Sequence, residues 1–161
     1  FTNGAVPMGA VGVRRGVYDA VMEGSPSGIE LFHGYTYSGH PLASAAGLAT
    51  LDIYASEGLF ERAASLAPYW EDAVHELRSA PGVIDVRNWG LVAGIELEPR
   101  TGAPGTRGND AFIRNFERGI LIRVTGDTIA LSPPLIIEKA EIDELVGVLG
   151  EVLTEVAKSG R

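Results

Sequence analysis

The 161-residue chain contains no cysteine. Disulfides, thiolate nucleophiles and cysteine metal sites are excluded, and the composition fits a reducing cytoplasm. Lysine is almost missing: the only two are Lys139 and Lys158. Lys139 falls in the first turn of a predicted helix among Glu138, Glu141 and Asp143, and Lys158 in the C-terminal tail. A nucleophilic lysine needs desolvated or cationic surroundings that lower its pKa. Neither position offers them, so both read as solvated, and lysine chemistry here has to borrow a lysine from elsewhere. A basic excess is also lacking. Thirteen Lys and Arg face 21 Asp and Glu, a formal net charge of -8 with a pI near 4.8. That argues against nucleic acid, which needs a basic patch, and against an anionic membrane surface. No apolar run is long enough to span a bilayer, and no basic-then-apolar leader is present. The chain opens on Phe1-Thr2-Asn3-Gly4 rather than Met, in mid-pattern, which suggests a piece of a longer protein.

What remains is a chain able to fold. A 45% hydrophobic content supports a real core, and the length permits one domain, or one small domain plus a piece of another. Gly9 to Val13 reads as a short strand. Val17, Val21 and Met22 fall at helical spacing after Arg15, and Gly24-Ser25-Pro26-Ser27-Gly28 stops that helix. Pro41 suits a helix start, where its missing N–H costs little. The helix that follows carries small residues, Ala43, Ala45, Ala46, Gly47 and Ala49, with Gly58 as C-cap. A second helix from about Leu59 to Ser79 carries the stripe Leu59, Ala63, Leu66, Trp70, Val74 and Leu77, with Pro68 expected to kink or restart it. Val83 to Asn88 and Leu91 to Leu97 read as strands, followed by a polar loop and a short helix with Phe112, Ile113 and Phe116 as its apolar residues. Ile120 to Val124 and Thr128 to Ser132 read as a hairpin around Thr125-Gly126-Asp127. Ile142, Leu145, Val146, Leu149, Val152, Leu153 and Val156 mark one face of a last helix. The order predicts an α+β fold, with a small antiparallel sheet covered by helices on one side. Residues 1–41 read as the remnant of a larger parallel-sheet domain, and 42–161 as a small C-terminal domain with its connecting helix.

Two positions suggest chemistry. Thr36 follows Gly34 and Tyr35 and precedes the helix start. A hydroxyl, flexible backbone and helical N–H groups together can seat a phosphate. An ordinary Tyr- and Gly-rich surface turn has the same composition. Arg123 lies in the apolar run Ile120 to Val124, where a charge is costly unless paired. Its planar fork suits a carboxylate. It can equally be an edge-strand arginine reaching water or pairing with Asp127. His33 and His40 flank the loop and read as loop-positioning residues, because no triad order or ligand spacing surrounds them. His75 reads as solvated, and Glu57, Glu61, Glu71 and Glu76 as a solvated face. Asn3-Gly4 reads as a tight turn. Gly90 to Gly94 lacks the spacing and context of a dinucleotide fingerprint.

His33-Gly34-Tyr35-Thr36-Tyr37 with Gly39-His40-Pro41 resembles the cofactor-phosphate loop of class III, fold-type I aminotransferases, which use pyridoxal 5'-phosphate (PLP). Phe1 to Val11, with Thr2-Asn3-Gly4 and Pro7-Met8-Gly9, resembles the segment that directly follows the PLP lysine in that family. The resemblance spans essentially the whole chain and implies the C-terminal small domain of such an enzyme plus a remnant of its large PLP-binding domain. It places the catalytic lysine two positions before Phe1, so that no catalytic residue lies in this chain. It implies that Thr36, with Tyr35, contacts the cofactor phosphate of the partner subunit, which makes a homodimer or higher homo-oligomer necessary. Ile122 to Asp127 followed by Ser132-Pro133-Pro134-Leu135 resembles the omega-amino acid (β-alanine type):pyruvate enzymes within the class. There the arginine at the position of Arg123 binds the substrate carboxylate and can swing aside for an amine that lacks one. The implied reaction moves an amino group from an omega-amino acid or amine to pyruvate. Other class III omega-aminotransferases or aminomutases, and a non-catalytic binding or structural domain, are the alternatives.

Overall fold

The computed structural model describes residues 1–24 and 36–159. The chain divides into two compact units, Phe1–Gly58 and Leu59–Arg161.

The first unit holds two helices, α1 (Arg15–Glu23) and α2 (Pro41–Ser56). The chain enters through an Asn-Gly turn, with φ 50° at Asn3 and 76° at Gly4 and a bond from the Ala5 N–H to the Thr2 carbonyl (3.0 Å). Positive φ at both central residues is the geometry that favours Asn-Gly. The strand expected at Gly9 to Val13 does not form. The run is exposed (Val11 is 89% accessible), and with no neighbouring strand among the described residues its N–H and C=O groups have no ladder to join. α1 forms as its spacing predicts yet buries no side chain. α2 starts with Pro41 in its first turn and buries Ala43, Gly47 and Thr50, successive positions on one face. At Gly47 an added Cβ would come within 3.2 Å of the Met8 sulfur, so the missing side chain admits the Met8 side chain.

The second unit is a four-stranded antiparallel sheet with helices: α3 (Leu59–Glu76), a 3-10 turn (Leu77–Ser79), β1 (Val83–Trp89), β2 (Val92–Leu97), α4 (Thr106–Glu117), β3 (Arg123–Thr125), β4 (Thr128–Leu131) and α5 (Lys139–Ser159). The strand order is β1-β2-β4-β3, which puts β1 and β3 at the edges. Val86, Ala93, Ile95, Leu97, Ile129 and Leu131 are buried in one core with Trp70 and Val74 of α3, Ala111 of α4 and the expected stripe of α5. Leu145 of that stripe is only partly buried. α3 runs through Pro68 without interruption. Proline costs the helix one i→i−4 bond, and burial of Leu59 before it and Trp70 and Val74 after it offsets that loss.

α4 departs from its expected face. Ala111 and Asn115 are fully buried, whereas Ile113 and Phe116 are 46% and 62% exposed. The helix packs too closely for large side chains: a Cβ on Gly108 would sit 2.2 Å from the Gly126 carbonyl oxygen. β3 is shorter than expected and shifted by one residue at its end. The two-residue Gly126-Asp127 loop pairs Thr125 with Thr128, Val124 with Ile129 and Arg123 with Ala130. Ser132-Pro133-Pro134 follows β4, and proline supplies no N–H to extend the ladder. Gly126 has φ 59°, which fits a hairpin turn with glycine first. Register then sets Arg87, Gly94, Ala130 and Arg123 in one row across the sheet.

Candidate functional site

In the first unit, the turn at residues 36–39 leads into α2. Thr36 is exposed, and Tyr37 is 81% accessible. The His40 N–H bonds the Tyr37 carbonyl at 3.2 Å, and Gly39 has φ 69°, a conformation costly for other residues. The first intrahelical bond runs from the Ser44 N–H to the His40 carbonyl at 2.9 Å. Leu42 and Ala43 therefore have first-turn N–H groups without an intrahelical acceptor. His40, at the N-cap, makes no side-chain capping bond. The start of a 16-residue helix carries partial positive charge. An exposed hydroxyl four residues before His40, together with first-turn N–H groups that no side chain caps, suits a phosphate. A cleft of about 410 Å³ lies beside it, lined by Val6 to Gly9, Tyr37 to His40, Ala43 and Ser44. Tyr35 and His33 lie outside the described residues.

In the second unit, Arg123 sits on the edge strand β3 with its side chain exposed. The expected alternative pairing with Asp127 does not occur. Asp127 is 9% exposed and spends both carboxylate oxygens on backbone: the Gly105 N–H donates to Oδ2 at 2.5 Å and the Gly108 N–H to Oδ1 at 2.9 Å. Among the described residues Arg123 forms no ion pair. The other arginine of the same row differs. Arg87 lies over Gly94 and is neutralised by Asp85 (2.7 Å) and Glu96 (3.0 Å); those two carboxylates, Asp85 first, raise its pKa above the ordinary value. Arg123 lines a groove of about 690 Å³ whose walls are mostly apolar, including Val92, Leu121, Ile122 and Ala130. It is the one charged side chain of that lining. An unneutralised guanidinium in such a groove suits a small carboxylate carrying an apolar group.

The histidines hold no ligand set; no group of acids and histidines able to hold a metal occurs among the described residues. His40 is exposed, 6.4 Å ring to ring from Tyr37. His75 is half-buried rather than solvated, and its Nε2 lies 2.9 Å from the Asn88 Oδ1. Lys139 and Lys158 are both exposed, with the Lys139 ammonium 4.6 Å from the centre of the Tyr69 ring.

Sequence reasoning missed the cap that Asp127 places on α4. The signal was available: α4 begins after Gly105, which has no side chain to satisfy the first N–H groups, so an acceptor had to arrive from elsewhere. It also missed the Arg100–Asp110–Arg114 cluster. Asp110 accepts from Arg100 at 2.8 Å, Arg114 at 2.7 Å and the Ser159 hydroxyl at 3.2 Å, tying the loop before α4 to the end of α5. Burial pushes the Asp110 pKa up, but the bonds from Arg100, Arg114 and Ser159 outweigh it and leave the carboxyl below its ordinary range.

Comparison with known proteins places these features in context. The family model described as Aminotransferase class-III matches residues 1–153. An omega-aminotransferase of Caulobacter vibrioides is 61% identical over 156 residues, covering 97% of this chain and 36% of that protein. A beta-alanine–pyruvate aminotransferase of Pseudomonas aeruginosa is 43% identical over 158 residues, covering 97% and 35%. A solved structure described as a transaminase with L-ala superimposes with a TM-score of 0.80 at 35% identity, covering 91% of this chain and 36% of that one. The chain thus spans about a third of the length of the curated relatives it matches.

Proposed function

Because the chain belongs to the class-III aminotransferase family, we propose that it is part of a PLP-dependent transaminase that moves an amino group from an omega-amino acid or amine to pyruvate. The unpaired Arg123 in its largely apolar groove is the observation that carries this reading. PLP, when bound, supplies the electron sink for amino transfer. Thr36, with Tyr35, contributes a hydroxyl and backbone donors to the cofactor phosphate, and the start of α2 adds its positive end. Because that phosphate belongs to the neighbouring subunit, the working enzyme is a homodimer or larger, in the cytoplasm. Arg123 holds the carboxylate of pyruvate, and of a β-alanine-like donor, through two parallel charge-assisted bonds. The names of the relatives, with pyruvate as acceptor in several, support this choice of substrates.

The test is the pair of half-reactions of the full-length enzyme. Arg123→Lys should raise the apparent constants for pyruvate and β-alanine, because a lysine cannot reproduce the bidentate fork. Arg123→Ala should raise them further, while propylamine, which has no carboxylate, should keep most of its rate. Absence of transamination between β-alanine and pyruvate by the wild-type enzyme refutes the substrate assignment. An equal loss for β-alanine and propylamine refutes the role of Arg123.

A further inference from the structure

We propose that Asp127 and Gly108 position Arg123, by clamping the tip of the β3–β4 hairpin to the start of α4. The inference rests on the reading of Arg123 as the carboxylate-binding residue. β3 itself is weakly held. It has three residues, pairs on one side only, and leaves Arg123 exposed at the sheet edge. The hairpin tip is fixed from several directions. The Asp127 carboxylate takes the N–H groups of Gly105 and Gly108, the cap and third residue of α4. The Asp127 carbonyl takes the Leu97 N–H of β2 at 2.9 Å. Gly126 lies directly against the helix, where a Cβ on Gly108 would meet its carbonyl oxygen at 2.2 Å and the Asp127 Cα at 3.1 Å. A negative charge at a helix start is favourable, so the clamp is held by charge as well as by fit.

The clamp has two effects on Arg123. With the tip fixed, the register Thr125 to Thr128 and Arg123 to Ala130 follows, and the guanidinium enters the groove from one place. The acid nearest in sequence is also occupied. Both oxygens of Asp127 are committed to backbone donors, so it does not neutralise the arginine four residues before it. Neither Asp127 nor Gly108 lines the groove, so their effect on a carboxylate is a positioning one, through Arg123.

The experiment compares Asp127→Ala, Asp127→Asn and Gly108→Ala in the full-length holoenzyme, each also in an Arg123→Ala background. Half-reaction constants are measured with pyruvate, β-alanine and propylamine. Asp127→Ala removes a charge; Gly108→Ala displaces the same turn with no change of charge, so agreement between them isolates position. Both should raise the apparent constants for pyruvate and β-alanine about ten- to a hundredfold, the scale of a misplacement near 1 Å, with limiting rates and propylamine little changed. Asp127→Asn, which keeps one carbonyl acceptor, should show a smaller rise of the same selectivity. In the Arg123→Ala background the selectivity should vanish, as residues acting through one group are not additive. Should Arg123→Ala itself treat β-alanine and propylamine alike, the carboxylate role of Arg123 is wrong and the positioning role falls with it. Should Arg123→Ala discriminate while soluble Asp127→Asn and Gly108→Ala do not, the positioning role alone is overturned. If Asp127→Ala or Gly108→Ala does not fold, Asp127→Asn decides, and proportional loss for both donors refutes the proposal.

Discussion

Replacing Asp110 by Asn tests how the end of α5 is held. The carboxylate accepts from Arg100, Arg114 and the Ser159 hydroxyl, and Arg100 also reaches the Val156 carbonyl at 3.5 Å. The side chains of Arg100 and Asp110 are each 23% exposed, so this is neither a surface pair worth almost nothing nor a dry one. Bonds to charged groups contribute about 1.5–3 kcal/mol each when well buried. Partial exposure lowers that, and Asn keeps one acceptor, so the net loss is about 2 kcal/mol. The assay is hydrogen exchange in the full-length protein, read on the last turn of α5, where local opening should quicken roughly thirtyfold at neutral pH, 1.4 kcal/mol being a factor of ten. The pH dependence follows from the lowered Asp110 pKa. A carboxyl whose folded pKa is depressed stabilises fully above its unfolded value and loses that contribution as pH falls through the folded one. Wild type and Asp110→Asn should therefore converge on acidification below the ordinary carboxylate range. A difference that persists unchanged in acid, or exchange at neutral pH that matches wild type, refutes the assignment.

Leu149 of α5 is fully buried in the core, and Leu149→Ala should cost about 2–5 kcal/mol, measured as a lower denaturation midpoint with an unchanged slope. Thr36→Ala in the full-length enzyme should weaken cofactor affinity by about 1.5–3 kcal/mol, one hydrogen bond to a charged group, in an equilibrium titration; unchanged affinity removes Thr36 from the phosphate site. Residues 1–161 alone should show no transaminase activity with PLP, since Lys139 and Lys158 are both exposed and lack the desolvated or cationic setting that activates a lysine; an adduct at either that turns over would refute this.

The second unit was legible because its periodicities are long and its stops are strong. The α5 stripe from Ile142 to Val156 and the α3 stripe through Trp70 and Val74 are the faces that enter the core. Gly126 marked the hairpin, and Pro41 the start of α2. The failures share one cause: composition shows what a segment can do but not whether a partner is there. Gly9 to Val13 has strand residues and, among the described residues, no strand beside it. Ile120 to Ile122 has them too, but lies beyond the ladder that the Gly126-Asp127 turn permits. Ile113 and Phe116 outweigh Gly108 and Ala111 in hydrophobicity yet are exposed, because Gly108 lies against Gly126 and Ala111 enters the core; Phe112 packs partly against that core. Arg123 was legible as a charge in an apolar run; that Asp127 turns away from it required α4, which local sequence does not place.

The marginal position of β3 separates two kinds of selection. None of its three side chains is fully buried, whereas Ile129, on the strand beside it, has no exposed surface at all. Substitutions on a solvated edge change stability by about 0.5 kcal/mol or less, while core changes cost several times that. Leu121, Arg123 and Thr125 are all exposed, and so can vary without consuming the stability that the helices and inner strands provide. Sequence can drift along this edge while the scaffold stays constant. A library randomised at these three positions would therefore lose few members to misfolding.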